Sequence, residues 1–194
     1  MQPRILVGCP TSFHKEYALE PYAESIKKLT YKNHDVLLVD NSRDNAYLER
    51  IKKLGLAAAK GPYFESARNR IVASRNILRQ KVIDDNYDYF FSLEQDILPP
   101  ADILEKLTRH NKKIVSAVYF ANNMIPGETL SKLIPLVYVL ENEKTLAMRP
   151  LNEEELWKNQ GLMKVVSAGL GCVLIHRDVL KEIKFRYDLN SFDD

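Results

Sequence analysis

The residues best suited to chemistry in this sequence are two carboxylates separated by one residue, Glu94 and Asp96. They directly follow the apolar run 89–93, which has the composition of a buried strand. Two neighbouring acids repel each other unless a cation or protonation relieves the repulsion. A divalent ion shared with a diphosphate does so, because Mg²⁺ prefers a few carboxylates together with phosphate oxygens. The turn 94–96 therefore predicts a site for Mn²⁺ or Mg²⁺ beside a phosphorylated ligand. The alternative is that both acids only cap the turn that follows them.

The elements that must position this turn alternate between strand and helix. Short apolar runs predict buried strands at 5–9, 35–39, 56–59, 88–93 and 114–120. Apolar residues at helical spacing predict helices between them, and the longest begins at Ser66 as N-cap and ends at about residue 83. This alternation is typical of an α/β sheet with helices on both faces.

The second half of the chain has a different pattern. Runs at 136–140 and 144–148 flank a tight polar turn and predict an antiparallel hairpin. A short helix over 152–158 precedes strand-like runs at 165–166 and 173–175, and between these lies the glycine-bearing bend 168–171, where backbone or ligand can approach closely. The sheet is therefore expected to be mixed and mostly parallel. No linker or internal repeat is visible, so we expect one domain over residues 1–194.

Composition narrows the classes of function. The 194 residues are 45% apolar and 28% charged, as in an ordinary folded domain. The net charge of +2 is too small to indicate a nucleic-acid partner. No secretory signal or apolar stretch of membrane-spanning length is visible, so we expect a cytoplasmic protein whose membrane contact, if any, is peripheral. Cys9 and Cys172 lie in strand-like runs and are expected to be buried thiols.

Three polar segments follow predicted strands and should share one crevice. Ligands of open α/β sheets bind outside the carboxyl ends of the strands. This rule brings together Pro10 and Thr11, the segment 40–42, and the acidic turn 94–96. The expected ligand site therefore combines a proline-containing strand end, an Asp-Asn-Ser turn and two acids.

In their order and spacing, these segments resemble glycosyltransferases of the GT-A fold, in particular the large inverting family 2. The resemblance covers nearly the whole chain, and its parts are 5–11, 39–42, 67–70, 87–100, 168–175 and 192–194. The sequence departs from the family's Asp-x-Asp pattern at Glu94. The longer side chain keeps the charge, and Asp96 becomes the firmer metal ligand.

The resemblance implies transfer of a sugar from a nucleotide-diphosphate sugar to a saccharide, lipid or protein acceptor, with inversion. Residues 1–100 would form the nucleotide-sugar-binding half, and 101–194 a short acceptor half. The residues implied for donor binding are Pro10, Thr11, Asp40, Asn41, Ser42, Arg68 and Gln95, with Glu94 and Asp96 on the metal. For Asp40, a turn-forming role accounts equally well for the residue type.

Arg68, Arg75 and Arg79 share one face of the long predicted helix, and a solvated face is the plain interpretation. The resemblance instead puts Arg68 beside the donor diphosphate, where a guanidinium adds positive charge. Inverting transfer also needs a carboxylate that deprotonates the acceptor hydroxyl. The resemblance points to Asp193 or Asp194 as this base, although terminal residues are seldom preorganised.

The same segments also bear on three alternative functions. A nicotinamide dehydrogenase is excluded, because it needs Gly-x-Gly-x-x-Gly after the first strand and this chain has Gly8-Cys9-Pro10. A sugar-1-phosphate nucleotidyltransferase is disfavoured, since its glycine-rich basic loop is replaced by residues 11–15, which contain no glycine. A non-catalytic nucleotide-sugar-binding module on the same fold stays open.

Overall fold

The computed structural model describes residues 2–124, 131–158 and 161–187. The strands are β1 (Ile5–Thr11), β2 (His34–Asp40), β3 (Ala58–Lys60), β4 (Tyr89–Leu93), β5 (Ile114–Ser116), β6 (Phe120–Met124), β7 (Ser131–Pro135), β8 (Val137–Asn142), β9 (Ala147–Pro150), β10 (Ser167–Ala168) and β11 (Cys172–His176). The α-helices are α1 (Glu16–Lys27), α2 (Ala46–Lys53), α3 (Ala67–Asp84), α4 (Ile103–Thr108), α5 (Glu153–Lys158) and α6 (Arg177–Glu182), and a 3-10 turn, Phe13–Lys15, precedes α1.

The central sheet has six strands in the order β3-β2-β1-β4-β11-β5. Strands β1 to β4 run parallel, and β11 lies antiparallel between β4 and β5. Every residue of β1 and of β4 is buried, as expected for continuous apolar runs covered on both faces. The expected mixed, mostly parallel α/β sheet is confirmed.

Alternate side chains of the strands pack into two cores, one on each face of the sheet. Helices α1, α2 and α4 cover one face, and Tyr22 and Leu104 are among their fully buried side chains. Helices α3 and α6 cover the other face through Leu78, Val82 and Leu180. The sheet therefore presents its strand ends, rather than its faces, to ligands.

The two cysteines lie inside this core, as expected. Cys9 belongs to β1 and Cys172 to β11, and both are buried. Burial raises the pKa of the Cys9 thiol well above its ordinary value and raises that of Cys172 to about 12. Both side chains therefore act as small apolar residues of the core.

Two small antiparallel sheets lie beyond the central one. Strands β8 and β9 form the expected hairpin, and β10 joins β8 on its other side. Strands β6 and β7 form a separate pair that was not predicted. The described helices include none that is both long and apolar enough to cross a bilayer.

The single strand predicted over 114–120 is wrong. The central sheet keeps only Ile114–Ser116, and a new strand in a different sheet begins at Phe120. The chain leaves the central sheet after the backbone N–H of Ala117 donates to the carbonyl of Cys172. The Tyr119 side chain then turns toward the glycine-bearing bend, and its hydroxyl accepts from the backbone N–H of Gly171 at 2.9 Å.

Candidate active site

A cavity of about 460 Å³ opens at the carboxyl ends of β1, β2 and β4. Five of the residues predicted for the donor and metal site line it: Pro10, Thr11, Asn41, Glu94 and Asp96. The other walls come from α3, from the start of β6 and from the bend before β11. The crevice expected from the strand-end rule is therefore present, and it contains both acids of the turn.

Asp96 is held by a lysine that lies 81 residues earlier in the chain. The Lys15 ammonium donates to Asp96 Oδ2, and the Tyr17 hydroxyl lies 3.1 Å from the same oxygen. Burial disfavours the charged form of Asp96, but the hydrogen bond and charge of Lys15 outweigh it and lower the pKa of Asp96. Burial likewise opposes the charge on Lys15, and Asp96 outweighs it and raises the pKa of Lys15. Both groups are therefore ionised at neutral pH.

Glu94 has a cation of its own, Arg75. Arg75 Nη2 lies 3.0 Å from Glu94 Oε1, and the Arg75 side chain is only 3% exposed. Its position on α3 is one helical turn after Ile71, which also lines the cavity. A guanidinium buried against the strand ends is therefore a fixed positive charge in the cavity wall.

Gln95, between the two acids, points away from the cavity and is 1% exposed. Its Oε1 accepts from the Thr11 hydroxyl, and its Nε2 donates to the carbonyl oxygen of Lys15 at 2.8 Å. The Tyr47 hydroxyl lies 3.0 Å from Oε1 and 2.8 Å from Nε2. The side chain thus joins the ends of β1 and β4 to α2 and to the turn that contains Lys15.

Asp40 is fully buried at the end of β2 and is not among the cavity-lining residues. Its Oδ1 accepts from the backbone N–H of Ser42 at 2.9 Å, which forms an Asx turn, and its Oδ2 lies 2.9 Å from Lys60 Nζ. Ser42 Oγ in turn accepts from the backbone N–H of Phe13 at 2.9 Å. Asp40 and Ser42 therefore shape the loops at this end of the sheet, and Asn41 is the residue of the three that faces the cavity.

Arg68 lies at the start of α3, outside the cavity lining. Its guanidinium carbon is 5.9 Å from the centre of the Tyr187 ring. On the same helix face, Ile71 and Arg75 lie three and seven residues further along, and both line the cavity. Arg68 is thus one helical turn from the cavity, and Arg75 is the arginine of the stripe that lines it.

The glycine-bearing bend contributes Leu170 and Gly171 to the cavity wall. A Cβ atom at Gly171 would lie 2.5 Å from the Tyr119 ring and 2.5 Å from Ile97 Cδ1. A close approach was predicted for backbone or ligand at this bend, and the group that approaches is the Tyr119 side chain. Glu94 is bonded to the same bend, because its backbone N–H donates to the Gly171 carbonyl at 2.9 Å.

The two residues predicted as catalytic base, Asp193 and Asp194, lie outside the described residues. Lys15 is the functional candidate that the sequence analysis missed. Its signal was faint, because a lone lysine in a polar loop resembles a solvated side chain. Only the strand-end rule, which already placed Thr11 at the crevice, could have drawn attention to the residues just after β1.

The two acids are suited to bind a divalent ion only when a phosphorylated ligand binds together with it. In the parts of the chain described here, no group of three or more Asp, Glu, His or Cys side chains is placed to hold a metal. Lys15 and Arg75 already balance the two carboxylates, so a cation alone would add unbalanced positive charge. A diphosphate adds negative charge together with the oxygen ligands that Mg²⁺ prefers, and this makes the shared site suitable.

Comparison with known proteins gives matches by structure. No protein-family model matches the sequence, and no curated protein matches it. TarS from S. aureus, residues 1–349 in complex with UDP-GlcNAc, superposes over 98% of this chain and 51% of its own, with a TM-score of 0.57 and 14% identity. CMP:2-keto-3-deoxy-manno-octonic acid synthetase, complexed with CTP, superposes over 92% of this chain and 76% of its own, with a TM-score of 0.53 and 14% identity. The chain has a GT-A-like fold.

A mannosyltransferase from Pyrobaculum calidifontis, in complex with GDP-Man and Mn²⁺, matches over 56% of this chain, with a TM-score of 0.43 and 18% identity. This chain spans 32% of the length of that mannosyltransferase and about half (51%) of the TarS fragment. At 14% identity, TarS and the synthetase share the fold with this chain.

Proposed function

We propose that this chain is a glycosyltransferase that takes a sugar from a nucleotide-diphosphate donor. The supporting observation is the cavity at the ends of β1, β2 and β4, where two carboxylates and two cations converge within a GT-A-like fold. Opposite charges at fixed positions suit a metal–diphosphate group, because cations bind its phosphates and carboxylates bind its metal. Inversion and membership of family 2 are parts of the same proposal.

The donor is proposed to lie along the strand ends. Pro10, Thr11 and Asn41 would line the nucleoside part, because they form the wall next to β2. Asp40, with Ser42 beside it, would bond the base or ribose. For this its carboxylate would first have to release the ammonium of Lys60. Arg68 would approach the diphosphate from the rim, and Gln95 would contribute by fixing the turn rather than by direct contact.

The reaction forms a bond between an acceptor hydroxyl oxygen and the anomeric carbon, while the bond from that carbon to the diphosphate oxygen breaks. A carboxylate takes the hydroxyl proton, and Asp193 or Asp194 is proposed for this role. Arg75 would stabilise negative charge on the departing nucleoside diphosphate, because it lines the cavity. A divalent ion, when bound by Asp96 and Glu94, would supply further charge stabilisation to the leaving group.

The proposal predicts metal-dependent turnover of a nucleotide sugar. With Mn²⁺ or Mg²⁺, the chain should release UDP or GDP from a UDP- or GDP-sugar, and Asp96→Ala should lower the rate at least about a hundredfold, as expected for loss of a charge-stabilising group. A coupled assay for released nucleoside diphosphate measures this, with and without added saccharide, lipid or peptide acceptors. Asp102→Ala, which removes an exposed ion-paired aspartate on the surface, is the matched control.

Two other outcomes of that assay have specific meanings. Binding of a nucleotide sugar without turnover over the acceptor panel would favour the non-catalytic module. Release of pyrophosphate from a nucleoside triphosphate and a sugar phosphate would favour a nucleotidyltransferase, whose candidacy rests on the fold shared with the synthetase complexed with CTP. Residence in the cytoplasm stays a prediction from the sequence.

A further inference from the structure

Lys15 lines the cavity, and its ammonium pairs with Asp96, another residue of the lining. Lys15 ends the 3-10 turn that follows β1, and it lines the cavity together with Ser12 and Asp96. Its side chain and that of Asp96 are each 34% exposed, so the ion pair borders the open space. An incoming anion can therefore reach the ammonium without any rearrangement of the core.

The backbone that bears Lys15 is fixed from three directions. Its carbonyl accepts from the buried Gln95 amide at 2.8 Å, and its own N–H donates to the Ser12 carbonyl at 2.8 Å. Two residues earlier, the N–H of Phe13 donates to Ser42 Oγ. A ligand that contacts Lys15 thus has to order little beyond one side chain, which lowers the entropic cost of binding.

The chemistry of the pair suits a phosphate ligand. A lysine ammonium has three donors and no acceptor, so a bond to Asp96 leaves it able to bond a second anion. Asp96 attracts the ammonium and at the same time repels an incoming phosphate. A divalent ion on Asp96 would reverse that repulsion and release the ammonium toward the phosphate. Lys15 and the metal would therefore neutralise the same carboxylate in turn.

We propose that Lys15 binds the donor diphosphate directly and that it does so with or without a divalent ion. The inference rests on the proposed function, because it takes the cavity to be the donor site. It adds one requirement: a metal-free nucleoside diphosphate binds measurably, and the ammonium of Lys15 is responsible for much of that binding.

Lys15→Ala and Asp96→Asn have different expected effects in EDTA, and Asp96→Asn also has a different effect in EDTA from its effect in Mn²⁺. In EDTA, Lys15→Ala should weaken binding of the nucleoside diphosphate about tenfold, as expected for loss of one charge-assisted hydrogen bond. In the same buffer, Asp96→Asn should bind as tightly as the wild type or more tightly, because a repelling charge is removed. In Mn²⁺, Asp96→Asn should lose the gain in affinity that the metal gives to the wild type.

The experiment is isothermal titration calorimetry of the whole chain with UDP, GDP, ADP and CDP, in EDTA and in Mn²⁺. Lys15→Arg should recover part of the lost affinity, since it restores a cation. Lys27→Ala, which removes an exposed ion-paired lysine of α1 that is not part of the cavity lining, should match the wild type. Equal melting temperatures for Lys15→Ala and Lys27→Ala would show that lost affinity is not lost folding.

The outcomes separate the inference from the function on which it rests. A wild type that binds none of the four nucleotides in either buffer contradicts the proposed function. A wild type that binds only with Mn²⁺, or a Lys15→Ala variant that binds in EDTA like Lys27→Ala, overturns the role of Lys15 and leaves the proposed function standing. Tighter metal-free binding by Asp96→Asn together with weaker binding by Lys15→Ala supports the inference.

Discussion

The middle residue of the acidic turn differs in role from the two acids beside it. Glu94 and Asp96 point into the cavity, whereas Gln95 is buried beneath it and bonds to β1, α2 and the Lys15 turn. A side-chain amide suits this position, because it can accept and donate at once. The side chain sets the position of both neighbouring carboxylates by fixing the backbone between them.

Replacing Gln95 by leucine should destabilise the fold by about 2 to 3 kcal/mol, since it removes the buried hydrogen bonds of the amide with the Thr11 and Tyr47 hydroxyls and with the Lys15 carbonyl. Gln80→Leu is the control, because Gln80 is exposed on α3 and its side chain forms exposed hydrogen bonds with two neighbours on the same helix, Arg79 and Asp84. Its free energy of unfolding should change by less than about 0.5 kcal/mol. Urea unfolding measures both, and equal effects of the two substitutions would show that the buried network adds no stability.

At this scale the sequence predicted the acids and missed their counterions. Asp96 and Glu94 were identifiable because they directly follow an apolar strand. Lys15 is 81 residues from Asp96, and Arg75 is 19 residues from Glu94. Such pairs form only when the sheet brings strand ends together, and local spacing does not contain that information. Arg75 appeared in the predicted stripe of arginines, but its burial depends on how α3 packs on the sheet.

Among the elements, the bend before β11 determines the shape of the cavity wall. Gly169 and Gly171 both approach the Tyr119 side chain, so closely that an added Cβ would overlap it. The bend in turn bonds to the acidic turn through Gly171 and Glu94. Small residues in this segment are therefore needed for packing against Tyr119, which also lines the cavity.

Gly171→Ala should destabilise the protein by about 1 to 3 kcal/mol, because the new methyl group has to displace Tyr119 and Ile97 from a packed wall. Gly161→Ala is the matched control, since a Cβ there meets no atom within 4 Å. Thermal or urea unfolding of the two variants compares them directly. If Gly171→Ala unfolds at the same denaturant concentration as Gly161→Ala, the wall is looser than its contacts indicate.

The elements were predictable where they are buried and less so where they are exposed. The runs that form β1, β2 and β4 are continuously apolar, and their predicted bounds lie within two residues of the observed ones. The run 114–120 looked equally continuous, yet it divides because Tyr119 fills the space above Gly171. A contact with a residue far along the chain therefore determines where the run divides. The pattern of apolar residues in the run does not predict that contact.

At the scale of the whole molecule, the charged side chains that line the cavity lie at one end of a buried sheet. The mixed sheet followed from the sequence, because parallel strands need helical crossovers and the helices were visible. The two small sheets were harder to foresee, since their strands are short and half-exposed. Their surface includes Phe120, Leu133, Leu140 and Met148, all at least 36% exposed. Apolar residues on the surface do not give the periodicity by which buried strands are recognised.

The central claim is that the cavity at the ends of β1, β2 and β4 binds a nucleoside diphosphate or its sugar. The direct measurement is the melting temperature of the whole chain with UDP, GDP and their sugars, with and without Mn²⁺. A ligand at about a hundred times its Kd should raise the melting temperature by about 5 to 10 °C, and more with the metal than without it. Glu94→Ala combined with Asp96→Ala should lose the part of the rise that requires Mn²⁺. An unchanged melting temperature with every nucleotide and nucleotide sugar, in both conditions, would contradict the claim.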